Sequence, residues 1–328
     1  MSANMMRFEI LTTENLAVGY GQNILFNNLN LVLRTGELVC FMGPNGSGKS
    51  TLIRTLTTLQ KPISGSVHIL EPDSTTINTK VNHLVAVVLT ERVTAQNMTV
   101  AELVTFGRYP YLDWNIQIDP SDQNIIDQAI ARVHIDHLRG KRLFELSDGQ
   151  LQLAMIARAL AQDTPLIVLD EPTAHLDLNN RVETMKLLRE LSHGLNKAIL
   201  LATHDLDLAL QTADRIWLTG RNQDIIGGIP EDLVLDGSFD TIFQFKGFDL
   251  KTGKVIHDGF RKKNVVLKGS GYAFLWTKNA LERNGFLVNE GEPSAVIEVH
   301  QSDRGIYWLL ENHGRLNTVS ELIEALTR

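Results

Sequence analysis

A glycine-rich loop is the clearest group of residues with a spacing suited to chemistry. An apolar stretch is followed by the run Gly43-Pro44-Asn45-Gly46-Ser47-Gly48-Lys49-Ser50, and then by apolar residues at helical spacing. Its glycines let the loop curl until successive backbone N–H groups converge on phosphate oxygens. The N-terminus of the following helix adds partial positive charge. The pattern predicts a nucleoside-triphosphate site in which Lys49 bridges phosphate oxygens and Ser50 binds Mg²⁺, with Thr51 beside them.

Two acidic residues and a histidine follow predicted strands. Asp170 and Glu171 come directly after the apolar residues 166–169, and His204 comes just after residues 198–202. Ligands bind beyond the carboxyl ends of parallel strands, so we expect these side chains beside the phosphate loop. Asp170 can hold Mg²⁺, directly or through water. Glu171 is placed to act as general base or to orient water for attack on the γ-phosphate, and His204 to hydrogen-bond that phosphate and the water.

The elements that must position these residues alternate along the chain. Strands are predicted at residues 9–11, 15–18, 29–33, 37–42, 166–169 and 198–202, and helices at residues 50–59, 99–106, 121–133, 150–161, 182–191 and 206–212. Strands that alternate with helices predict an α/β fold with a largely parallel sheet and helical crossovers.

The overall composition narrows the class of protein. A formal net charge of −7 over 328 residues argues against binding to a phosphate backbone, so we expect no nucleic acid partner. No apolar run approaches the roughly 18–20 residues needed to cross a bilayer, and the first residues do not resemble a secretory signal. The single cysteine, Cys40, lies in an apolar run and is interpreted as a buried strand residue. These features predict a soluble cytosolic protein.

Several further stretches, in order along the chain, resemble those of the ABC ATPases. Leu146-Ser147-Asp148-Gly149-Gln150 resembles the signature sequence, Asp170-Glu171 the Walker B acids, Ala174-His175-Leu176-Asp177 the D-loop, His204 the switch histidine and Tyr20 the aromatic that stacks on adenine. The resemblance spans about residues 8–245. It implies a P-loop NTPase core of the ABC type, with a mostly parallel sheet plus antiparallel β and helical subdomains, and ATP and Mg²⁺ as ligands.

In that family the signature faces ATP held by the opposite subunit of a two-fold dimer. The resemblance therefore implies a homodimer in which Ser147, Gly149, Gln150 and Asp177 contact the nucleotide of the other copy. Because one nucleotide-binding core is present in the chain, a homodimer is the simplest expectation.

The chain departs from the family pattern at two places. Asp148 stands where the signature usually has glycine, and we interpret it as a subfamily feature. The glutamine that normally contacts Mg²⁺ or water is missing at its expected position, which falls on Thr90. We therefore expect Thr90 or Glu91 to make that contact. Gln96 is the alternative, but it lies farther along the chain.

Residues 99–110 carry the argument for transport. They are similar to the T-V-x-E-L-V-x-x-G-R-x-P stretch of ATPase subunits that serve siderophore, haem and cobalamin importers. This implies integral-membrane permease partners and a peripheral position on the inner face of the cell membrane. An ordinary amphipathic helix ending at Pro110 explains the apolar spacing but explains Gly107-Arg108 less readily. A soluble ABC ATPase acting on ribosomes, DNA or cluster assembly is the competing class, although the second core or long coiled coil typical of such proteins is not evident.

The character of the chain changes near its C-terminal quarter. We predict an ABC nucleotide-binding domain at residues 1–247 and a small α+β domain at residues 248–328. The second has predicted strands at 265–267 and 295–299 and predicted helices at 272–283 and 319–326. Two roles stay open: an extension that stabilises packing or a dimer, and a ligand-sensing domain that restrains hydrolysis.

Overall fold

The computed structural model describes residues 7–70, 81–89, 97–112, 114, 116–220, 224–255, 257, 259–261, 263–289, 291–302, 305–311 and 313–327. The chain divides into two units, Met1–Gln244 and Phe245–Arg328. Each unit has its own hydrophobic core.

The first unit contains ten strands and eight α-helices among its described residues. The strands are β1 (Glu9–Tyr20), β2 (Asn23–Leu29), β3 (Val32–Arg34), β4 (Leu38–Met42), β5 (Ser64–Ile69), β6 (Val85–Val88), β7 (Leu166–Asp170), β8 (Ala198–Ala202), β9 (Arg215–Thr219) and β10 (Ile225–Gly228). The helices are α1 (Lys49–Leu56), α2 (Val100–Thr105), α3 (Pro120–Arg132), α4 (Asp148–Ala161), α5 (Leu178–Leu195), α6 (Leu206–Thr212), α7 (Pro230–Leu235) and α8 (Ser238–Phe243).

The predicted parallel sheet lies at the centre of this unit. Its strand order is β10-β9-β4-β8-β7-β6, and every neighbouring pair is parallel except β9 with β10. Strands β4, β7 and β8 are apolar along almost their whole length and are buried at every position, as strands covered on both faces must be. Strand β8 lies between β4 and β7, so the segments that leave these three strands emerge side by side. The α/β prediction is confirmed.

A smaller antiparallel sheet has the order β2-β1-β3, with β5 also paired to β1. The sequence suggested two short strands before residue 19, but β1 is continuous. Asn15 adopts a left-handed φ of 46° and the pairing register shifts around it, so the strand bends there instead of ending. The chain then reverses between Tyr20 and Asn23 in a tight hairpin.

Side-chain caps set the first residue of the helices that matter for the site. The Ser147 hydroxyl accepts a hydrogen bond from the Gln150 N–H at the start of α4, and the Asp177 carboxylate accepts one from the Asn180 N–H at the start of α5. Such caps satisfy backbone donors that have no partner within the helix. Among the described residues, no helix has the length and apolar character to cross a membrane.

The second unit is a five-stranded sheet with two helices. Its elements are β11 (Phe248–Asp249), β12 (Lys254–Val255), β13 (Lys263–Lys268), α9 (Gly271–Arg283), β14 (Phe286–Val288), β15 (Ala295–Ser302), β16 (Gly305–Leu310), β17 (Gly314–Leu316) and α10 (Val319–Thr327). The order is β14-β13-β15-β16-β17, with β11 and β12 forming a separate hairpin. A buried hydrogen bond of 2.7 Å from the Trp308 indole to the Thr277 hydroxyl links the sheet to α9.

Candidate nucleotide site

The phosphate loop connects the buried strand β4 to helix α1. Gly48 takes the N-cap position of α1 with φ of +93°, a conformation that a residue with a Cβ rarely adopts. The side chain of Lys49 turns back over the loop, where its ammonium donates hydrogen bonds to the carbonyls of Gly43 at 2.8 Å and Pro44 at 3.2 Å. The loop therefore holds a cation against its own curved backbone.

The surroundings of Lys49 act on the pKa of its ammonium in opposite directions. Burial lowers the pKa of this ammonium, while the nearby carboxylates of Glu171 and Asp170 act in the opposite direction. Asp170 is the last residue of β7 and Glu171 follows it, so two negative charges at this strand end act on the cation of the loop. An anionic phosphate would strengthen the charged form of Lys49 further.

Glu171 and His204 form a hydrogen-bonded pair at this edge of the sheet. The distance from His204 Nδ1 to Glu171 Oε2 is 2.6 Å. Glu171 adopts a left-handed φ of 52°, and its backbone N–H donates to the carbonyl of Ala202 at the end of β8. Non-glycine residues in this region cost about 1–3 kcal/mol and often mark functional sites. The bend directs the carboxylate toward the histidine that follows the neighbouring strand.

The donors predicted for Mg²⁺ suit a hard cation. Ser50 supplies a hydroxyl in the first turn of α1, and Asp170 supplies a carboxylate as the last residue of β7, where it is buried. Oxygen ligands of this kind are what Mg²⁺ prefers, usually with waters and substrate phosphates completing its shell. The predicted contacts from Thr90 and Glu91, and the alternative Gln96, lie outside the described residues.

Tyr20 is the aromatic predicted to stack on adenine. It is the last residue of β1, and 55% of its surface is exposed. Its hydroxyl lies 3.5 Å from the hydroxyl of Thr51 in the first turn of α1. An exposed ring next to the helix that follows the phosphate loop is placed to offer a flat apolar face to a base.

The signature and D-loop segments lie beside each other. The reciprocal cap between Ser147 and Gln150 starts α4, and a Cβ on Gly149 would lie 3.0 Å from the side chain of Asn180. Asn180 in turn donates its side-chain amide to Asp177 at 3.0 Å. Two helix N-termini with anion-binding character are thus adjacent. Asn180 was not predicted from the sequence, although an amide three residues after a capping Asp was the signal that could have revealed it.

Asp148 is the first residue of α4 and is exposed. An acidic side chain in the first turn interacts favourably with the positive end of the helix. The glycine-to-aspartate departure therefore suits the helix itself, while placing a carboxylate where an approaching phosphate would experience repulsion.

Arg158 is a second residue that was not predicted from the sequence. It lies on α4, and its guanidinium donates to the carbonyl of Val87 at 2.6 Å, near the end of β6. Burial lowers the pKa of this guanidinium. The contact links the helix that begins with the signature to the strand that leads into residues 90–96. No local pattern indicates it, because the partners are 71 positions apart.

The Gly107-Arg108 pair has a packing role. A Cβ on Gly107 would lie 2.4 Å from the carbonyl oxygen of Arg158, so only glycine allows this approach to α4. Arg108 is buried, with hydrogen bonds of 2.8 Å to Asp122 and 3.0 Å to the carbonyl of Ala161. Its guanidinium also stacks on the ring of Tyr111 at 4.0 Å. Packing thus explains a pair that we attributed mainly to transport from the sequence.

Two protein-family models match the chain. The ABC transporter family matches residues 26–174, and the iron ABC transporter C-terminal domain matches residues 261–327. The first match contains the phosphate loop, the signature and the Asp170-Glu171 pair, and the second lies within the second unit.

Similar proteins cover most of the chain. An uncharacterized ABC transporter ATP-binding protein of Methanocaldococcus jannaschii is 38% identical over 80% of this chain and 92% of its own length. A petrobactin import ATP-binding protein of Bacillus anthracis is 37% identical, with coverage of 68% and 82%. An ATP-binding protein assigned to a siderophore transport system of Bacillus subtilis is 36% identical, with coverage of 67% and 84%.

Solved structures agree with these relatives. A protein assigned to the metal-chelate type of ABC transporters, in an inward-facing conformation, has a TM-score of 0.64 at 28% identity, covering 72% of this chain and 89% of that one. A bacterial ABC transporter cassette solved as a dimer has a TM-score of 0.56 at 26% identity, with coverage of 67% and 99%. The chain therefore belongs to the ATP-binding proteins of ABC transporters, a family of ATP-hydrolysing subunits, and it carries an iron ABC transporter C-terminal domain.

Proposed function

We propose that the chain hydrolyses ATP to drive a membrane importer for an iron-siderophore or a related metal chelate such as haem or cobalamin. The observation that carries the ATPase part is the Glu171–His204 pair, at 2.6 Å, beside the phosphate loop. The chelate part is supported by relatives named for petrobactin import and siderophore transport, and by the iron ABC transporter C-terminal domain.

In this proposal different residues of the first unit bind the triphosphate and orient the attacking water. The backbone N–H groups of the phosphate loop and the ammonium of Lys49 bind and orient the triphosphate. Glu171 accepts a hydrogen bond from the attacking water and orients it, and His204 fixes the direction of that carboxylate while reaching toward the γ-phosphate. Mg²⁺, held by Ser50 and Asp170, would neutralise charge that develops on the phosphate oxygens.

We also propose that two copies enclose two ATP molecules. Ser147, Gly149 and Gln150 at the start of α4, together with Asp177 at the start of α5, would face the triphosphate bound by the other copy. Adjacent helix N-termini suit that role because their free N–H groups and dipoles favour anions. The dimeric cassette among the structural relatives supports the arrangement.

The surface near α2 suits a membrane partner. Phe106 and Tyr109 follow that helix with rings 4.3 Å apart, and both are exposed. Trp114 is 97% exposed and Ile116 is also exposed. Exposed apolar residues of this kind suit an interaction surface, and here they lie in and just after the stretch that resembles importer ATPases. We propose that permease subunits bind this surface, so that the protein lies at the inner face of the cell membrane.

The test is to purify tagged Glu171→Gln protein from native membranes in mild detergent with Mg-ATP and to identify its partners by mass spectrometry. We expect a polytopic permease. Tyr109→Glu should lose the permease because it places a carboxylate beside the exposed ring of Phe106, while Leu235→Glu, at an exposed apolar residue on α7, should keep it.

The competing soluble class predicts a different result. Recovery from the soluble fraction with ribosomal or DNA-bound partners, and no permease, would reject the importer. Equal permease recovery with Tyr109→Glu and Leu235→Glu would leave the importer in place but reject the proposed docking surface.

A further inference from the structure

Helix α9 presents an apolar stripe to solvent. Tyr272, Leu275 and Trp276 are 58%, 44% and 69% exposed, and their i, i+3, i+4 spacing places them on one side of the helix. The opposite side is fixed in the core by buried Thr277 and Leu281. Because the Thr277 hydroxyl accepts a hydrogen bond from the Trp308 indole, the rotation of the helix about its axis is set. The outward direction of the aromatic residues is therefore built into the fold.

The same side of the helix continues as a polar and concave surface. Asn279 and Arg283 extend the row at i+7 and i+11 from Tyr272. They border a cavity of about 250 Å³ between α9 and the β11–β12 hairpin. Ala280 and Val255 also line this cavity. We name the row Tyr272, Leu275, Trp276, Asn279 and Arg283 the outer stripe. One half of it projects bulky rings, and the other half borders a hollow that Arg283 lines together with Glu282 and His257.

We propose that the outer stripes of two copies of this chain pack against each other, antiparallel, across a two-fold axis. An antiparallel pair sets the aromatic half of each stripe against the hollow half of the other. Trp276 then meets Asn279 and the cavity of the second copy. Arg283 reaches the ring face of Tyr272 across the axis, where a guanidinium is attracted to the aromatic quadrupole. The two-fold axis repeats each of these contacts, so the aromatic half of either stripe meets the hollow half of the other, as an isologous contact requires.

Charge favours an antiparallel pair of stripes over a parallel pair and over an anionic bilayer. In the antiparallel arrangement the two Arg283 residues lie about 16 Å apart along the helix axis, beyond the screening length of about 10 Å at moderate salt. The flanking Lys278 forms a salt bridge of 3.5 Å with Glu282, so it adds little net charge. A parallel arrangement would stack the aromatic residues on each other and set the two arginines side by side. A single cation per stripe also gives weak attraction to an anionic bilayer.

The area buried between the two α9 helices is small, so the contact supports other pairing and does not hold a dimer by itself. Helix α9 has 13 residues and is thus about 20 Å long, so the pair buries less than the roughly 800 Å² per partner of a standard interface. This contact would be weak alone. If the same two chains also pair elsewhere, that pairing raises the effective concentration of one stripe near the other, and the two contacts strengthen each other. This pairing goes beyond the proposed function and does not depend on transport or hydrolysis.

Cross-linking of the full-length chain tests the proposal. The only natural cysteine, Cys40, is fully buried, and burial raises the pKa of its thiol, so an introduced cysteine is the sole reactive one. Asn279→Cys lies close to the proposed two-fold axis, and Glu311→Cys provides an exposed control after β16. We expect Asn279→Cys to form a covalent dimer with a short bis-maleimide at least about tenfold faster than Glu311→Cys.

Further substitutions in the Asn279→Cys background decide whether the stripe is responsible. Trp276→Ala and Arg283→Glu should each slow the cross-link, whereas Leu309→Ala, at an exposed residue of β16, should not. Equal cross-linking of Asn279→Cys and Glu311→Cys, both with and without Mg-ATP, would overturn the proposal. The proposal is also overturned if Trp276 is needed for flotation with anionic vesicles or for permease recovery while Asn279→Cys stays monomeric. Neither result bears on ATP hydrolysis, which is measured separately.

Discussion

At the residue scale, binding and chemistry are assigned to different side chains. Lys49 is enclosed by the carbonyls of the phosphate loop and is placed to hold a triphosphate. Glu171 and His204 form their pair on the neighbouring strand ends and can act on a water molecule. Because the two groups share an electrostatic environment without sharing hydrogen bonds among the described contacts, substitutions should separate their effects.

The first prediction follows from that separation. Lys49→Ala should weaken ATP binding by about tenfold or more, because it removes a charge-assisted contact to the phosphates. Glu171→Gln should retain ATP binding but lower kcat by about 10²–10⁴-fold, the usual contribution of a positioned general base. Calorimetric titration with ATP and a phosphate-release assay measure the two quantities. Equal losses of binding in both variants would contradict the assignment.

At the element scale, the helical region is held by close packing around α4. The backbone at Gly107 lies against the carbonyl of Arg158, and Arg108 pairs with Asp122 of α3 while bonding to the last residue of α4. A buried ion pair with satisfied hydrogen bonds specifies one arrangement of these helices, and breaking it would leave a buried charge. The residues that resemble importer ATPases thus also build the platform that carries the exposed Phe106 and Tyr109.

The second prediction tests this packing. Gly107→Ala should lower the free energy of unfolding by about 1–3 kcal/mol, because the new methyl group would meet backbone at 2.4 Å and the Ala161 Cβ at 2.9 Å. The matched control is Gly140→Ala, where nothing lies within 4 Å, and it should change stability by less than about 0.5 kcal/mol. Urea unfolding followed by circular dichroism measures both, and equal stability of the two variants would show that the close approach is wrong.

How far the sequence could predict the structure differs between elements. Strands β7 and β8 and helix α6 follow from apolar runs and local spacing, so their position was foreseeable. The bend in β1 at Asn15 was not, because it depends on pairing with two partner strands. The contact of Arg158 with Val87 could not be predicted either, because the two residues are 71 positions apart in the chain and meet only where α4 packs on the sheet.

The site shows the same limit. The positions of the glycine loop, Asp170, Glu171 and His204 could be predicted from the sequence, because each follows a strand end or precedes a helix start. The choice among Thr90, Glu91 and Gln96 stays a prediction, because these residues lie outside the described part of the chain and no periodic pattern in the sequence selects among them. Asn180 contacts Gly149 and Asp177 in the structure, and its one signal in the sequence is its position three residues after the capping Asp177.

At the scale of the whole molecule, the chain consists of two units with separate cores. The structure divides between Gln244 and Phe245. The core of the second unit is built from β13 to β17 with α9 and α10, and includes Val265, Leu281, Ile297 and Trp308. Both roles considered for this unit, stabilising a dimer and sensing a ligand, are compatible with an independent core.

The third prediction concerns this independence. A chain ending at Gln244 should fold and keep ATP affinity, because each core is complete without the other. Near-UV circular dichroism and ATP titration measure this. If the second unit restrains hydrolysis, the shortened chain should also turn over faster than the full chain, whereas a stabilising role predicts an unchanged or lower rate. Loss of a cooperative unfolding transition in the shortened chain would contradict the division.

The most direct test of ATP-driven pairing is light scattering on dilute Glu171→Gln protein, titrated with Mg-ATP. We predict a shift from the mass of one chain to that of two, because ATP would be bound between the phosphate loop of one copy and the signature of the other. Ser147→Arg in the same background should abolish the shift by filling the start of α4. A single-chain mass at saturating Mg-ATP, or a shift that survives Ser147→Arg unchanged, would contradict it.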